Sequence, residues 1–248
     1  MGEDFSGKTV LVTGGNSGIG RAAAKLFAAK GASIAITGRN QYKIDAVLSE
    51  LGGDAIGESV DVTSVSAIDA FAEKTANTFG KIDAVVVSAG GLTVCPFQMM
   101  DERLFDDEMT RNFKGAYFTA QSALKHMEKG SVTFLSSAAG EMGLHGTSVY
   151  GPAKAALRNL VRVLASELSP DIRVNAISPG PIPTPGMDRL GLPPDQLEAA
   201  RESFALKVPL GRMGTVDEVA GAVAFLASDQ ASFITGVDLA VDGGMAQV

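Results

Sequence analysis

The chain has 248 residues, of which 46% are apolar and 20% charged, and a net charge of −7. That composition supplies a sizeable core and excludes a disordered chain, and the acidic balance argues against nucleic acid, whose phosphates call for a basic stripe. Cys95 is the single cysteine, so no internal disulfide can form, and a reducing, cytoplasmic setting is expected.

Residues 1–6 read Met-Gly-Glu-Asp-Phe-Ser. They lack a basic region followed by an apolar one and are not read as a secretory signal. They match the loose myristoylation pattern, but two acids follow Gly2 and a strand begins almost at once, so no lipid anchor is expected. No apolar run reaches the roughly 18 residues that span a bilayer, so no membrane partner is expected either. Short β-rich apolar runs then lie at 9–12, 33–37, 55–60, 84–87, 132–135, 173–177 and 237–241. Between them stand helical patterns at 18–30, 41–51, 64–79, 101–127, 148–168 and 215–228. Several of the strands are apolar without alternation, as strands covered on both faces should be. This βα alternation predicts an α/β fold: a Rossmann-type, doubly wound parallel sheet of about seven strands with helices on both faces. Neither a linker nor a repeat divides the chain, so residues 1–248 are read as one domain.

Thr13-Gly14-Gly15-Asn16-Ser17-Gly18-Ile19-Gly20 follows the first strand and opens the first helix. Glycines there let a pyrophosphate approach the backbone N–H groups at the helix N-terminus. An NAD site wants an acid about 20 residues further on, to bind the ribose hydroxyl. Thr37-Gly38-Arg39-Asn40 stands there instead. A planar, permanently charged Arg39 suits the 2′-phosphate of NADP, which favours NADP(H) over NAD(H); the alternative is a solvated loop arginine and an enzyme that takes either. Asp61 is placed to accept from the adenine amine or to cap the helix near Ser64.

The densest signal runs from Ser137, at the end of an apolar run, to Tyr150 and Lys154. Four residues are just over one helical turn, which stacks Tyr150 and Lys154 about 6 Å apart along the axis. An ammonium beside a phenol favours the phenolate, so Lys154 is expected to lower the Tyr150 pKa and make it a proton donor and acceptor.

Taken together, these residues resemble the short-chain dehydrogenase/reductase family over essentially the whole chain. The resemblance is carried by Thr13-Gly14-x-x-x-Gly18-x-Gly20, Asp61, Asn112, Ser137, Tyr150-x-x-x-Lys154, Pro179-Gly180-x-x-x-Thr184 and Val241-Asp242-Gly243-Gly244. It implies that Tyr150 exchanges a proton with the substrate oxygen and that Ser137 hydrogen-bonds that oxygen. Lys154 binds the nicotinamide ribose and tunes Tyr150, and Asn112 holds a water linking Lys154 to solvent. By the same resemblance the cofactor lies against Gly14, Asn16, Ser17, Gly18, Ile19, Gly20, Arg39, Asp61, Val62, Ala89, Gly90, Tyr150, Lys154, Pro179, Gly180, Ile182 and Thr184. One departure is Val87-Ser88-Ala89-Gly90, where the family usually has Asn-Asn-Ala-Gly.

The implied activity is hydride transfer between NADP(H) and a secondary alcohol or ketone. The substrate is expected to be mainly apolar, because the loops 90–100, 140–149 and 182–207 offer Leu92, Val94, Phe97, Met142, Leu144, Val149, Ile182, Met187 and Leu190. His145 either touches the substrate or is a surface residue. The stretch 178–194 is rich in proline and is read as neither helix nor central strand, and 182–207 is read as a mobile substrate loop. Two alternatives are a 3-oxoacyl-carrier-protein reductase and a non-catalytic cofactor-binding sensor on the same fold. Glu128 and Asp171 disfavour the first, because they would repel an acidic carrier. No metal is expected. The segments 101–127 and 148–168 are apolar on more than one face, and the apolar chain end falls at a sheet edge. With the family's pairing habits, this predicts a homotetramer.

Overall fold

The computed structural model describes residues 4–186 and 194–248. Its strands are β1 Thr9–Thr13, β2 Ser33–Gly38, β3 Ala55–Ser59, β4 Ala84–Val87, β5 Gly130–Leu135, β6 Ile172–Pro179 and β7 Asp238–Val241. They form one parallel sheet in the order β3-β2-β1-β4-β5-β6-β7. Val10, Val12, Ile34, Ile36, Val86 and Phe134 are wholly buried within it. That burial on both faces is why these strands read as unbroken apolar runs.

The helices are α1 Gly18–Ala29, α2 Gln41–Leu51, α3 Val65–Phe79, α4 Glu102–Met109, α5 Gly115–Leu124, α6 Tyr150–Leu168, α7 Pro194–Leu206 and α8 Val216–Ala227. α1, α2 and α8 bury one face of the sheet, and α3, α5 and α6 bury the other. Their starts are legible as caps. The side chain of Asn40 accepts from Lys43 N at 3.0 Å, and that of Asp101 from Leu104 N at 2.7 Å. Thr215 and Glu218 form a reciprocal capping box.

Three expectations need correction. The 101–127 segment is not one helix: a five-residue π-turn, Thr110–Lys114, separates α4 from α5, which ends at Leu124. The cause is Asn112, whose amide donates to the Glu108 carbonyl at 3.1 Å and so competes for the helix's own acceptor. Second, α7 occupies the latter half of the supposed 182–207 loop. Pro194 is its first residue, where a missing N–H costs nothing. Third, Ser178 and Pro179 belong to β6. β5 has already ended opposite Ile177, so Pro179 owes no hydrogen bond on that side. Met187 and Leu190 lie outside the described residues.

Candidate active site

The sheet order reverses between β1 and β4, the place where a sheet of this kind offers a ligand crevice at the carboxyl ends of its strands. Thr13 ties the two strand ends together there: its hydroxyl accepts from Ser88 N at 3.2 Å and Ala89 N at 3.3 Å. Gly14, at φ +69°, runs so close to Ala89 that a Cβ would stand 3.1 Å from the Ala89 Cα. A Cβ on Gly20 would strike the Gly14 carbonyl, and one on Gly18 would lie 3.4 Å from the Thr184 side chain. The sequence therefore needs glycine in this cradle for space as well as for backbone freedom. Ser17 begins α1 in extended conformation, with no side-chain bond to the first turn and no acid within that turn. α2, α3, α4 and α8, by contrast, each begin with a side-chain cap. Unsatisfied amides and the positive end of the helix thus face a tight glycine cradle, which suits the pyrophosphate of a dinucleotide. Ile19 points the other way and packs against the core.

At the outer end of the crevice Arg39 is exposed, next to Gly38 at the end of β2. The Asn16 side chain fills the space that a Cβ on Gly38 would need. Asp61 is exposed, and its carboxylate accepts from Thr63 N at 2.9 Å. The cap of α3 is Ser64, which leaves Asp61 in the turn before it, followed by buried Val62. At the far wall Gly180 abuts Asp242, where a Cβ would come within 2.7 Å of its Cα, and Ile182 is buried.

Ser137 follows β5, and Tyr150 opens α6 with Lys154 one turn on. The Lys154 ammonium is buried, donates to the Leu135 carbonyl at 2.7 Å and stands 5.6 Å from the Tyr150 ring centroid. The Ser137 hydroxyl lies close enough to that of Tyr150 to favour the phenolate. Asn112 is wholly buried: its amide oxygen accepts from Gly91 N at 3.1 Å, and its amide nitrogen donates to Gly91 O at 2.9 Å. A Cβ on Gly90 would lie 2.8 Å from the Asn112 oxygen and 3.7 Å from the Lys154 nitrogen. Asn112 of the π-turn and Lys154 of α6 thus meet beside Gly90, with Tyr150 one turn before Lys154 and Ser137 just after β5.

The electrostatics differ from expectation. Burial pushes the Tyr150 hydroxyl above its ordinary pKa; the nearby Ser137 hydroxyl opposes this, and the charge of Glu108 adds to it. Burial pushes Lys154 down to about 8, opposed by Glu108. The ammonium's short contact is with a carbonyl rather than the phenol, so its effect on Tyr150 is weaker than the helical spacing suggested. Glu108 escaped the sequence reading. It is buried in α4 and accepts from Thr93 N and Asn112 Nδ2, both at 3.1 Å, and from Arg111 Nη2 at 2.6 Å. Its available signal was an acid one turn before Asn112 on an otherwise exposed acidic helix.

The nominated pocket wall divides. Val149 and Ile182 are core residues. Phe97, Met142, Leu144 and His145 line a groove of about 630 Å³ along the outer side of the 140–148 loop, to which Ser137, Tyr150 and Lys154 do not contribute. His145 is exposed. Cys95 N donates to Gly146 O at 2.9 Å, which ties this loop to the 90–100 loop. Among the described residues no His, Cys, Asp and Glu cluster could hold a metal ion, and no helix is long and apolar enough to cross a membrane.

A family model described as enoyl-(acyl carrier protein) reductase matches residues 14–246. A solved short-chain dehydrogenase/reductase from Brucella melitensis, titled glucose/ribitol dehydrogenase, superposes with a TM-score of 0.94 at 32% identity over 100% of both chains. The chain belongs to the short-chain dehydrogenase/reductase family. Oxidoreductase asL5 of Sarocladium schorii is 39% identical, over 98% of each chain. The 3-oxoacyl-[acyl-carrier-protein] reductase FabG of Thermotoga maritima is 35% identical, over 97% of this chain and 98% of that one. As a family member the protein is an oxidoreductase acting on CH–OH or C=O groups with a nicotinamide cofactor. The Val87-Ser88 departure is absorbed locally: Val87 is buried opposite Thr13, and Ser88 bonds to Thr13 through its backbone.

Proposed function

We propose that this short-chain dehydrogenase/reductase is an NADP(H)-dependent enzyme interconverting a secondary alcohol and a ketone of mainly apolar character. The observation that carries the reading is the convergence of Ser137, Tyr150 and Lys154 at the inner end of the crevice whose outer end bears Arg39. The pyrophosphate would lie along Gly14, Asn16, Ser17, Gly18 and Gly20, and Arg39 would pair with the 2′-phosphate. The nicotinamide, when bound, supplies or accepts the hydride. In reduction, Ser137 holds the carbonyl oxygen and Tyr150 gives its hydroxyl proton to the oxyanion as the hydride reaches carbon. Lys154 places a positive charge beside that developing anion, and Asn112 fixes the Gly91 backbone at its back. Thr184, in contact with Gly18, would orient the carboxamide.

The test is cofactor absorbance with NADPH and NADH against a panel of ketones, run in both directions. NADPH-dependent turnover of an apolar ketone supports the reading, and NADH preference removes its cofactor half. The similarity to a 3-oxoacyl reductase favours one second reading, so the panel includes a 3-oxoacyl thioester.

The assembly is proposed to be a homotetramer. Phe105, Tyr117 and Val163 are exposed on α4, α5 and α6, and Phe233 and Val237 are exposed beside the edge strand β7. Two such apolar surfaces on one chain fit two isologous contacts.

A further inference from the structure

Glu108 is a carboxylate with 1% side-chain exposure, and the proton-transfer scheme above does not use it. A buried charge is costly unless it is paired and fully hydrogen-bonded. One oxygen receives Thr93 N and Asn112 Nδ2, and the other receives Arg111 Nη2. Arg111 donates in turn to the Thr93 hydroxyl at 3.3 Å. The pair therefore clamps the segment from Gly91 to Thr93 against the π-turn, and that segment faces Lys154 through Gly90. We propose that Glu108 and Arg111 form a positioning pair for the reaction: Glu108 holds the Asn112 amide and supplies the counter-charge to Lys154, while Arg111 sets how much of that charge Lys154 feels.

The surroundings of Lys154 leave this role to Glu108. On its own helix it faces Tyr150, which is neutral until its raised pKa is reached. From β5 it meets the Leu135 carbonyl, and beside the π-turn it stands across Gly90 from the neutral amide of Asn112. From α4 comes Glu108, the one ionised group whose field raises the Lys154 pKa. Glu108 raises that of Tyr150 as well, so it favours protonation of both groups. Arg111 lies on the other Glu108 oxygen and draws on the same charge. Removing Glu108 and removing Arg111 should therefore act on Lys154 in opposite directions. A purely structural role would not do this. Loosening the site admits water, which relieves desolvation and raises the Lys154 midpoint whichever partner is lost.

The inference rests on the reading that Lys154 serves the reaction, and its test is chosen to need neither substrate nor cofactor. The full chain is labelled with [6-¹³C]lysine, the Lys154 resonance is assigned by its loss in Lys154→Met, and its titration midpoint is followed by NMR. Glu108→Gln, which keeps the size and one acceptor oxygen while removing the charge, should move the midpoint to lower pH. Arg111→Gln should move it to higher pH, and Arg111→Lys should restore it toward wild type. Movement of the Glu108→Gln and Arg111→Gln midpoints in the same direction, or of neither, overturns the proposal. If Glu108→Gln does not fold, the arginine variants decide alone: a rise in Arg111→Gln that Arg111→Lys does not share supports the proposal, and an equal rise in both overturns it. A failed ketone panel would remove the functional reading without altering these midpoints.

Discussion

The side chain of Asn16 lies over Gly38, in the space a β-carbon there would occupy. This joins the glycine-rich turn to the end of β2 and bears directly on how cofactor choice can be tested. Placing an acid at Gly38 would displace Asn16 and disturb the phosphate cradle along with the ribose site. Arg39 is exposed and can be changed without such a collision. Arg39→Gln should lower kcat/KM with NADPH by about 10- to 100-fold, the scale of a charged hydrogen bond worth roughly 1.5–3 kcal/mol, and change the NADH value little. Equal losses with both cofactors would show that Arg39 does not read the 2′-phosphate.

Tyr150→Phe keeps the ring and removes the transferable proton. Turnover should fall by at least about 10²-fold, the usual scale for a general acid. Cofactor affinity, followed by fluorescence titration, should be largely kept. Near-normal turnover would take the proton transfer away from Tyr150.

The alkaline limb of ketone reduction should follow Lys154 rather than Tyr150. Burial depresses Lys154 to about 8 and raises Tyr150, so Lys154 is the first of the two to lose its proton as pH rises. The kcat–pH profile should therefore fall through the region near 8, and a flat profile to well above it would refute the assignment. The same depression makes a stability statement. Between the folded value and the unfolded one, the unfolded chain binds more protons, so the Lys154 contribution to stability grows as pH rises through that window. Lys154→Met should accordingly be inactive yet no less stable at neutral pH, as thermal melts would show.

Val163 is exposed on α6 although apolar. Val163→Asp should leave the circular dichroism spectrum unchanged and reduce the mass seen by light scattering if this face pairs with a second copy. A wild-type mass near that of one chain would refute the tetramer outright.

At the other end of the chain, Thr215→Ala should cost about 1 kcal/mol by removing the cap of α8, a fall of roughly 2–4 °C in Tm for a domain of this size. An unchanged Tm would mean that the exposed box contributes nothing.

What the sequence disclosed follows from periodicity and local chemistry. Unbroken runs such as 84–87 announced strands covered on both sides. The spacing of Tyr150 and Lys154 placed both on one helix opening toward Ser137. Other features depend on contacts that no window contains. The break at Asn112 follows from its side-chain bond to the Glu108 carbonyl, in an orientation also held by its bonds to Gly91, 21 positions away along the chain. The burial of Val149 and Ile182 follows from loops closing over them, so apolar character alone misplaced them on the pocket wall. Glu108 looked like one more acid on a charged helix until the fold supplied Thr93 and Arg111.

The π-turn at Thr110–Lys114 also acts as a phase adjustment. A regular helix advances each residue by about 100°, so the wide turn gives α4 a rotational setting that a continuous helix through α5 would not have. In that setting Glu108 faces inward to Thr93 while Asp106 and Asp107 face solvent. Deleting one residue from this turn would restore helical regularity and swing the carboxylate out of the site. The length of this short stretch therefore sets where the Glu108 carboxylate points.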